Sequence, residues 1–205
     1  RVLFRSIEQL EAIVVYCLET YKFDDALTFG KLWTEKAPYS SDAWHKLGMT
    51  FGTLGRWEEA LDAYTHAAQL DPVDVEIIVN TGIALEQLGR LDEAQTTIET
   101  ALQIDPANLD ALFTKAVILE RTGRFDEAIR ILHFLSKQES HHRDALCELA
   151  VCYEGLEQFN EAIETYDKII DLDPFDQNAW FNKGVMCGKK GAQDRKSTRL
   201  NSSHL

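Results

Sequence analysis

The sequence predicts an all-α fold, an α-solenoid of antiparallel helix-turn-helix hairpins wound as a right-handed superhelix. Two observations predict it. Ala26, Ala60, Ala94, Ala128 and Ala162 are spaced by 34 residues, and Phe23, Trp57, Leu91, Phe125 and Phe159 stand three positions before them. Pro38, Pro72, Pro106 and Pro174 fall on the same grid. A fixed period of this length marks stacked supersecondary units rather than one central core. The frames are 7–40, 41–74, 75–108, 109–142 and 143–176, followed by an opening helix at 177–190.

Each frame reads as two helices. In frame two, Trp44, Leu47, Gly48 and Phe51 recur at i, i+3, i+4 and i+7, one face of a first helix. The turn Leu54-Gly55-Arg56 follows, then a second stripe of Ala60, Leu61, Tyr64, Ala67 and Ala68. Acidic or amide pairs such as Asp24-Asp25, Glu58-Glu59, Asp92-Glu93, Asp126-Glu127 and Asn160-Glu161 open the second helices, where they complement exposed amide groups and the helix dipole. Asp71-Pro72 ends the second helix and reverses the chain. Gly55, Gly89 and Gly123 supply a left-handed residue in the tight intra-hairpin turn. The repeated alanines let neighbouring helices approach closely. Helices this short are marginal alone, so each hairpin must be stabilised by the next.

Two frames depart from the pattern. The first ends in Lys36-Ala37-Pro38 and has Gly30 where a bulky residue is usual; the fourth ends in Gln138-Glu139-Ser140-His141-His142 without an Asp-Pro turn.

Composition narrows the function. Of 205 residues, 34 are acidic and 21 basic, a net charge of −13, which argues against nucleic acid or an anionic membrane as the main partner. Apolar runs such as Ile77-Ile78-Val79 fall far short of the roughly 20 residues that span a bilayer, and no secretory leader pattern opens the chain. Cys17, Cys147, Cys152 and Cys187 form no CxxC pair and read as free thiols in a reducing, cytoplasmic setting. His141-His142 are adjacent, unlike an i,i+4 ligand pair. No HExxH helix, GxSxG elbow or phosphate-cradling glycine loop is present, so the expectation is no catalysis, no metal and no cofactor.

The set Trp44, Leu47, Gly48, Phe51, Ala60, Tyr64, Ala67 and Pro72, with Tyr166, Pro174, Trp180 and Gly184 in the same slots later, resembles the tetratricopeptide repeat family over residues 7–190. In overall texture the chain is similar to bacterial cytoplasmic members. The flanks resemble translated sequencing-adapter sequence: residues 1–6 read as a non-native extension, and 191–205 as a disordered, mostly adapter-like tail. Setting 1–6 and 194–205 aside leaves 16 basic residues against 33 acidic, a net charge of −17. The expectation is a segment of a longer protein.

The resemblance implies that first helices line a concave wall. Slots five and nine of successive frames hold Glu11 and Val15, His45 and Met49, Val79 and Ile83, Phe113 and Val117, Cys147 and Val151, and Phe181 and Val185. They lie four apart on one helix face, and slot nine is apolar throughout, giving a continuous groove floor. Glu8, Asp42, Glu76, Asp110, Asp144 and Asn178 form an edge beside it, acidic except for the last; Glu86, Glu120 and Glu154 add charge farther along. Some members clamp a carboxylate terminus with a Lys/Asn/Asn/Lys/Arg set. Asn80 occupies one such slot, but His45, Met49, Asp110 and Thr114 fill its neighbours, which disfavours that mode. The implied function is a scaffold binding a peptide or helix with basic flanks. The alternative is a regulatory or substrate-docking module of a larger enzyme whose catalytic domain lies outside this segment.

Overall fold

The computed structural model describes residues 6–139 and 142–202, with side chains as far as 195. The helices are α1 (Ile7–Glu19), α2 (Phe23–Lys36), α3 (Ser41–Thr53), α4 (Trp57–Leu70), α5 (Val75–Gln87), α6 (Leu91–Ile104), α7 (Leu109–Arg121), α8 (Phe125–Leu135), α9 (His142–Gly155), α10 (Phe159–Leu172) and α11 (Gln177–Ser202). No strand occurs among the described residues. The helices gather into two compact units, one through Thr114 and one from Lys115, a division that falls inside α7. Within the first unit, α1 packs on α2, α2 on α3, and so on to α6; within the second, α8, α9, α10 and α11 pack in the same consecutive way. The fold is an all-α repeat solenoid.

The alanine grid works as its spacing predicts. Ala26, Ala60, Ala94, Ala128 and Ala162 are all fully buried. Opposite them in the helix pair, Gly48 admits the Tyr64 ring so closely that a Cβ there would stand 2.5 Å from Cε1. Gly82 receives the Ile98 side chain with the same closeness.

Every intra-hairpin turn uses one device. The backbone N–H groups of Lys22, Arg56, Arg90, Arg124 and Gln158 donate to the carbonyls of Cys17, Phe51, Leu85, Leu119 and Tyr153, at 2.8–2.9 Å. This six-residue closure requires a left-handed residue just before the donor. Gly55, Gly89 and Gly123 fill that place at φ between +69° and +74°, and Tyr21 and Glu157 fill it at φ 58° and 56° without being glycine.

First helices are capped on the same grid. The Oγ of Ser40, the Oδ1 of Asp74, the Oδ1 of Asn108 and the Oδ1 of Asp176 accept from the backbone N–H groups of Ala43, Ile77, Ala111 and Ala179. Asp71, Asp105 and Asp173 each accept from the N–H two residues on, which fixes the turn between hairpins.

Both departures have a packing account. At Gly30 the next hairpin closes in, so that a Cβ there would stand 3.4 Å from Leu47 Cδ1, while Trp33 of the same helix is 2% exposed and clusters with Leu10, Val14 and Ala43. α8 has 11 residues where α2, α4, α6 and α10 have 14. It ends at Leu135, and the N–H groups of Ser136, Lys137 and Gln138 close its last turn onto Leu132, Phe134 and Leu135.

The sequence expectation ends the last helix near Lys190 and leaves 191–205 disordered. α11 instead continues to Ser202. No proline interrupts it, and Ala192, Gln193, Arg195 and Lys196 favour helix, so propagation continues where the apolar period has stopped. Residues 203–205 lie outside the described residues, as do 1–5 of the amino-terminal extension. Ser6, the last residue of that extension, caps α1 by accepting from the Gln9 N–H at 3.3 Å.

Candidate functional site

In the first unit, the site is built by α3, α4 and α5. Met49 and Gly52 lie three apart on α3, and Asn80 and Ile83 three apart on α5, so each pair shares a face. Together with Thr53, Trp57 and Tyr64 they line an open pocket of about 250 Å³. Three of the sequence-derived candidates, Met49, Asn80 and Ile83, are therefore brought together.

His45, Val79 and Glu86 are not in the lining. His45 and Val79 are each 3% exposed, sealed between neighbouring hairpins. Glu86 is also buried and accepts from the Gln87 side-chain amide at 2.9 Å. Asn80 Nδ2 stands 2.8 Å from His45 Nε2. With the amide donating, Nε2 is the acceptor of a neutral imidazole. Burial lowers the His45 pKa below the ordinary histidine value; Glu76, Asp74 and Asp42 oppose that shift and Lys46 adds to it. Glu76 Oε1 lies 4.0 Å from Nε2 and is itself well exposed. Phe113 is half-buried, and Asp42, Glu76 and Asp110 are exposed. Lys46 Nζ sits 3.5 Å from Met49 Sδ.

In the second unit, Val117, Glu120 and Cys147 are half-buried, while Val151, Val185 and especially Phe181 are exposed, the last at 71%. Asp144 is exposed. Glu154 pairs with Lys189 of α11, and Lys183 of α11 pairs with Asp167 of α10. A second pocket, about 220 Å³ and more polar, lies between α8, α9 and α10, where His133 Nε2 and the Tyr153 hydroxyl are 2.9 Å apart. Burial, then Lys168 and Lys137, lowers the His133 pKa.

The four cysteines are free, with Cys17 and Cys152 buried and Cys187 exposed. Burial pushes the Cys152 thiol up to about 12, so it is protonated at neutral pH. Among the described residues, no group of three or more His, Cys, Asp or Glu side chains is arranged to hold a metal ion, and no helix is long and apolar enough to cross a membrane. His141, half of the adjacent histidine pair, lies outside the described residues.

Sequence reasoning did not single out Gly52, Thr53, Trp57 and Tyr64 as lining residues. Residue identity gave little signal: the twelfth slot of Gly52 holds Leu18 in the first frame, Glu86, Glu120 and Glu154 in the three after its own, and glycine again at Gly188.

Solved structures share this architecture. A tetratricopeptide repeat protein of Thermus thermophilus, TTC0263, is 18% identical over 89% of this chain and 99% of its own, with a TM-score of 0.73. YrrB, described as a tetratricopeptide repeat protein with an unusual peptide-binding site, is 22% identical over 85% of this chain and 90% of its own, at 0.66. A chain of the APC/C hetero-tetramer Cut9-Hcn1 is 20% identical over 91% of this chain and 37% of its own, at 0.81. At these identities the likeness is one of fold. No curated protein sequence matches. Tetratricopeptide repeat profiles match residues 45–108, 79–133 and 123–182. These spans run without a gap over more than half of the chain and follow the same hairpins that the alanine grid and the glycine turns define, so the chain belongs to the tetratricopeptide repeat family.

Proposed function

We propose that this chain is a protein-interaction scaffold that takes a peptide or helix of a partner along the exposed faces of its first helices, without catalysis in this segment. The observation that carries the reading is slot nine. Val15, Met49, Ile83 and Val117 are only half-buried, and Val151 and Val185 are exposed, although all six are apolar. Stacking of hairpins does not consume them, which leaves apolar surface for another molecule. Beside them Glu8, Asp42, Glu76, Asp110 and Asp144 are all exposed. That edge favours a partner whose apolar contacts are flanked by Lys or Arg. The peptide-binding site ascribed to YrrB supports the same mode for a protein of this fold. We further place the protein in the cytoplasm, a setting that suits its four free thiols.

The test is recovery of co-purifying partners with Ile83→Asp and Val117→Asp variants, one in each unit. Both are expected to stay folded, because their positions are partly solvated, and to lose partners that the unaltered chain retains. Folded variants that retain every partner would sink the proposal.

A further inference from the structure

The polar pocket between α8, α9 and α10 lies apart from the groove candidates, none of which lines it. Leu146, Leu149 and Thr165 give it a buried floor. Its rim departs from the repeat in three ways. With 11 residues against 14 in α10, α8 ends at Leu135, and Ser136 just beyond that end enters the lining. Slot eleven, which holds Cys17, Phe51, Leu85, Leu119 and Cys187 in the other frames, here holds Tyr153, whose hydroxyl reaches His133. Slot sixteen supplies Arg56, Arg90 and Arg124 to pair with Glu59, Glu93 and Glu127 in the preceding hairpins. Here that slot is Gln158, and Glu161 brings a carboxylate without an ion-pair partner to the pocket.

The lining carries both signs of charge, at opposite ends. Glu161, Glu164 and Lys168 share one face of α10 at i, i+3 and i+7. Glu164 and Lys168 stand one turn apart and form no ion pair with each other. Burial and then Lys168 and Lys137 lower the His133 pKa, which keeps the imidazole mainly neutral at pH 7. Burial, then Glu161, with Cys152 and Glu164 behind it, raise the Tyr153 hydroxyl. The hydrogen bond between His133 and Tyr153 therefore lies between a cationic end and an anionic end. A ligand of one sign would meet its own charge at one of them; a ligand carrying both signs meets opposite charge at each.

We infer that this pocket binds a short unbranched amino acid, its ammonium against Glu161 and Glu164, its carboxylate against Lys168 and the Ser136 hydroxyl, and its methylenes on Leu146 and Leu149. The volume of about 220 Å³ exceeds the roughly 150 Å³ that takes a benzene ring, enough for a ligand of this size. Glu164 and Lys168 are separated by about 6 Å along the helix axis. That spacing suits an ammonium and a carboxylate at the two ends of a short methylene chain better than the adjacent charges of an α-amino acid. The inference is independent of the peptide-binding reading and adds a small-molecule site to the scaffold.

The experiment is an NMR-monitored titration of the full chain with γ-aminobutyrate at pH 7 and low salt, beside glycine, butyrate and butylamine. γ-Aminobutyrate is expected to bind about tenfold more tightly than each of the others, because each lacks one charged contact or the spacing to make both. Lys168→Gln and Glu164→Gln, at exposed positions, should each weaken it about tenfold. Gln158→Arg recreates on Glu161 the pair made in the preceding hairpins, and should weaken binding while Tm holds or rises. Circular dichroism and melting check that each variant is folded; should one fail, the other two decide. Equal binding of butylamine would make this a cation site, and equal binding of butyrate an anion site; either overturns the inference. So would equal binding of glycine, no saturable binding of γ-aminobutyrate, or binding indifferent to the folded variants.

Discussion

The intra-hairpin turn offers a test in which one slot predicts opposite signs at two places. Gly89 sits at φ +74°, and a Cβ placed on it meets nothing within 4 Å. Gly89→Ala therefore introduces no collision, and its cost is purely backbone. Holding an L-residue in the left-handed region costs roughly 1–2 kcal/mol. The reduced freedom of the unfolded chain returns about 0.4–1 kcal/mol, so the net loss is about 1 kcal/mol. Glu157 fills the same slot at φ 56°, and Glu157→Gly runs the exchange backwards, stabilising by up to about 1 kcal/mol. The closure bonds from Arg90 to Leu85 and from Gln158 to Tyr153 are common to both turns, so they cancel in the comparison. Urea unfolding followed by far-UV circular dichroism reads the change directly, and a shift of about 2–4 °C in Tm accompanies each kcal/mol in a chain of this size. Gly89→Asn serves as control and should lose less than Gly89→Ala, because asparagine tolerates the left-handed region. A neutral Gly89→Ala, or a Glu157→Gly that destabilises, would refute the assignment of strain to this slot.

Other perturbations separate packing, capping and charge. Ala94→Leu overfills a fully buried contact and should cost about 1–3 kcal/mol by urea unfolding; a neutral result would mean the helices do not approach there. Asp74→Ala removes the acceptor of the Glu76 and Ile77 N–H groups and should cost about 1 kcal/mol, with Asp74→Asn largely retaining the cap. His45 and His133 both titrate below the ordinary value in the folded chain. The unfolded chain therefore binds protons first, and stability should fall as pH drops through about 6.5 toward the depressed folded values, levelling below them. His45→Asn should flatten that slope in part; an unchanged slope would show that His45 is not held neutral.

The fold was legible because its strongest constraint is steric and falls on small residues. A buried alanine every 34 positions states where helices touch, and the five are all fully buried. The turn slot was legible only where the chain carries glycine; Tyr21 and Glu157 adopt the same backbone with nothing in their identity to announce it. The first-helix caps were readable and overlooked: Ser6, Ser40, Asp74, Asn108 and Asp176 occupy one grid position, and each accepts a backbone N–H. The continuation of α11 past Lys190 was not readable from period, because helical propensity persists after amphipathic patterning ends.

The candidate site was legible at the level of a helix face and no finer. Slots five and nine are four residues apart, which at 3.6 residues per turn leaves about 40° between them. That rotation carries His45 and Val79 into the seam between hairpins, while Met49 and Ile83 remain at the surface. Slot counting treats both as groove residues; only the packed neighbours distinguish them. Gly52 shows the complementary point. The residues that keep the period make one hairpin stack on the next, and any partner that met only those would find the same surface at every step. A recognising surface needs a place unlike the others. The twelfth slot varies in this way, holding Leu18, Gly52, Glu86, Glu120, Glu154 and Gly188 in turn, and at Gly52 the missing side chain lets the Trp57 ring come within 3.2 Å of where a Cβ would stand. In this chain the period specifies the stacking, and only the slots that leave it can tell one hairpin's surface from the next.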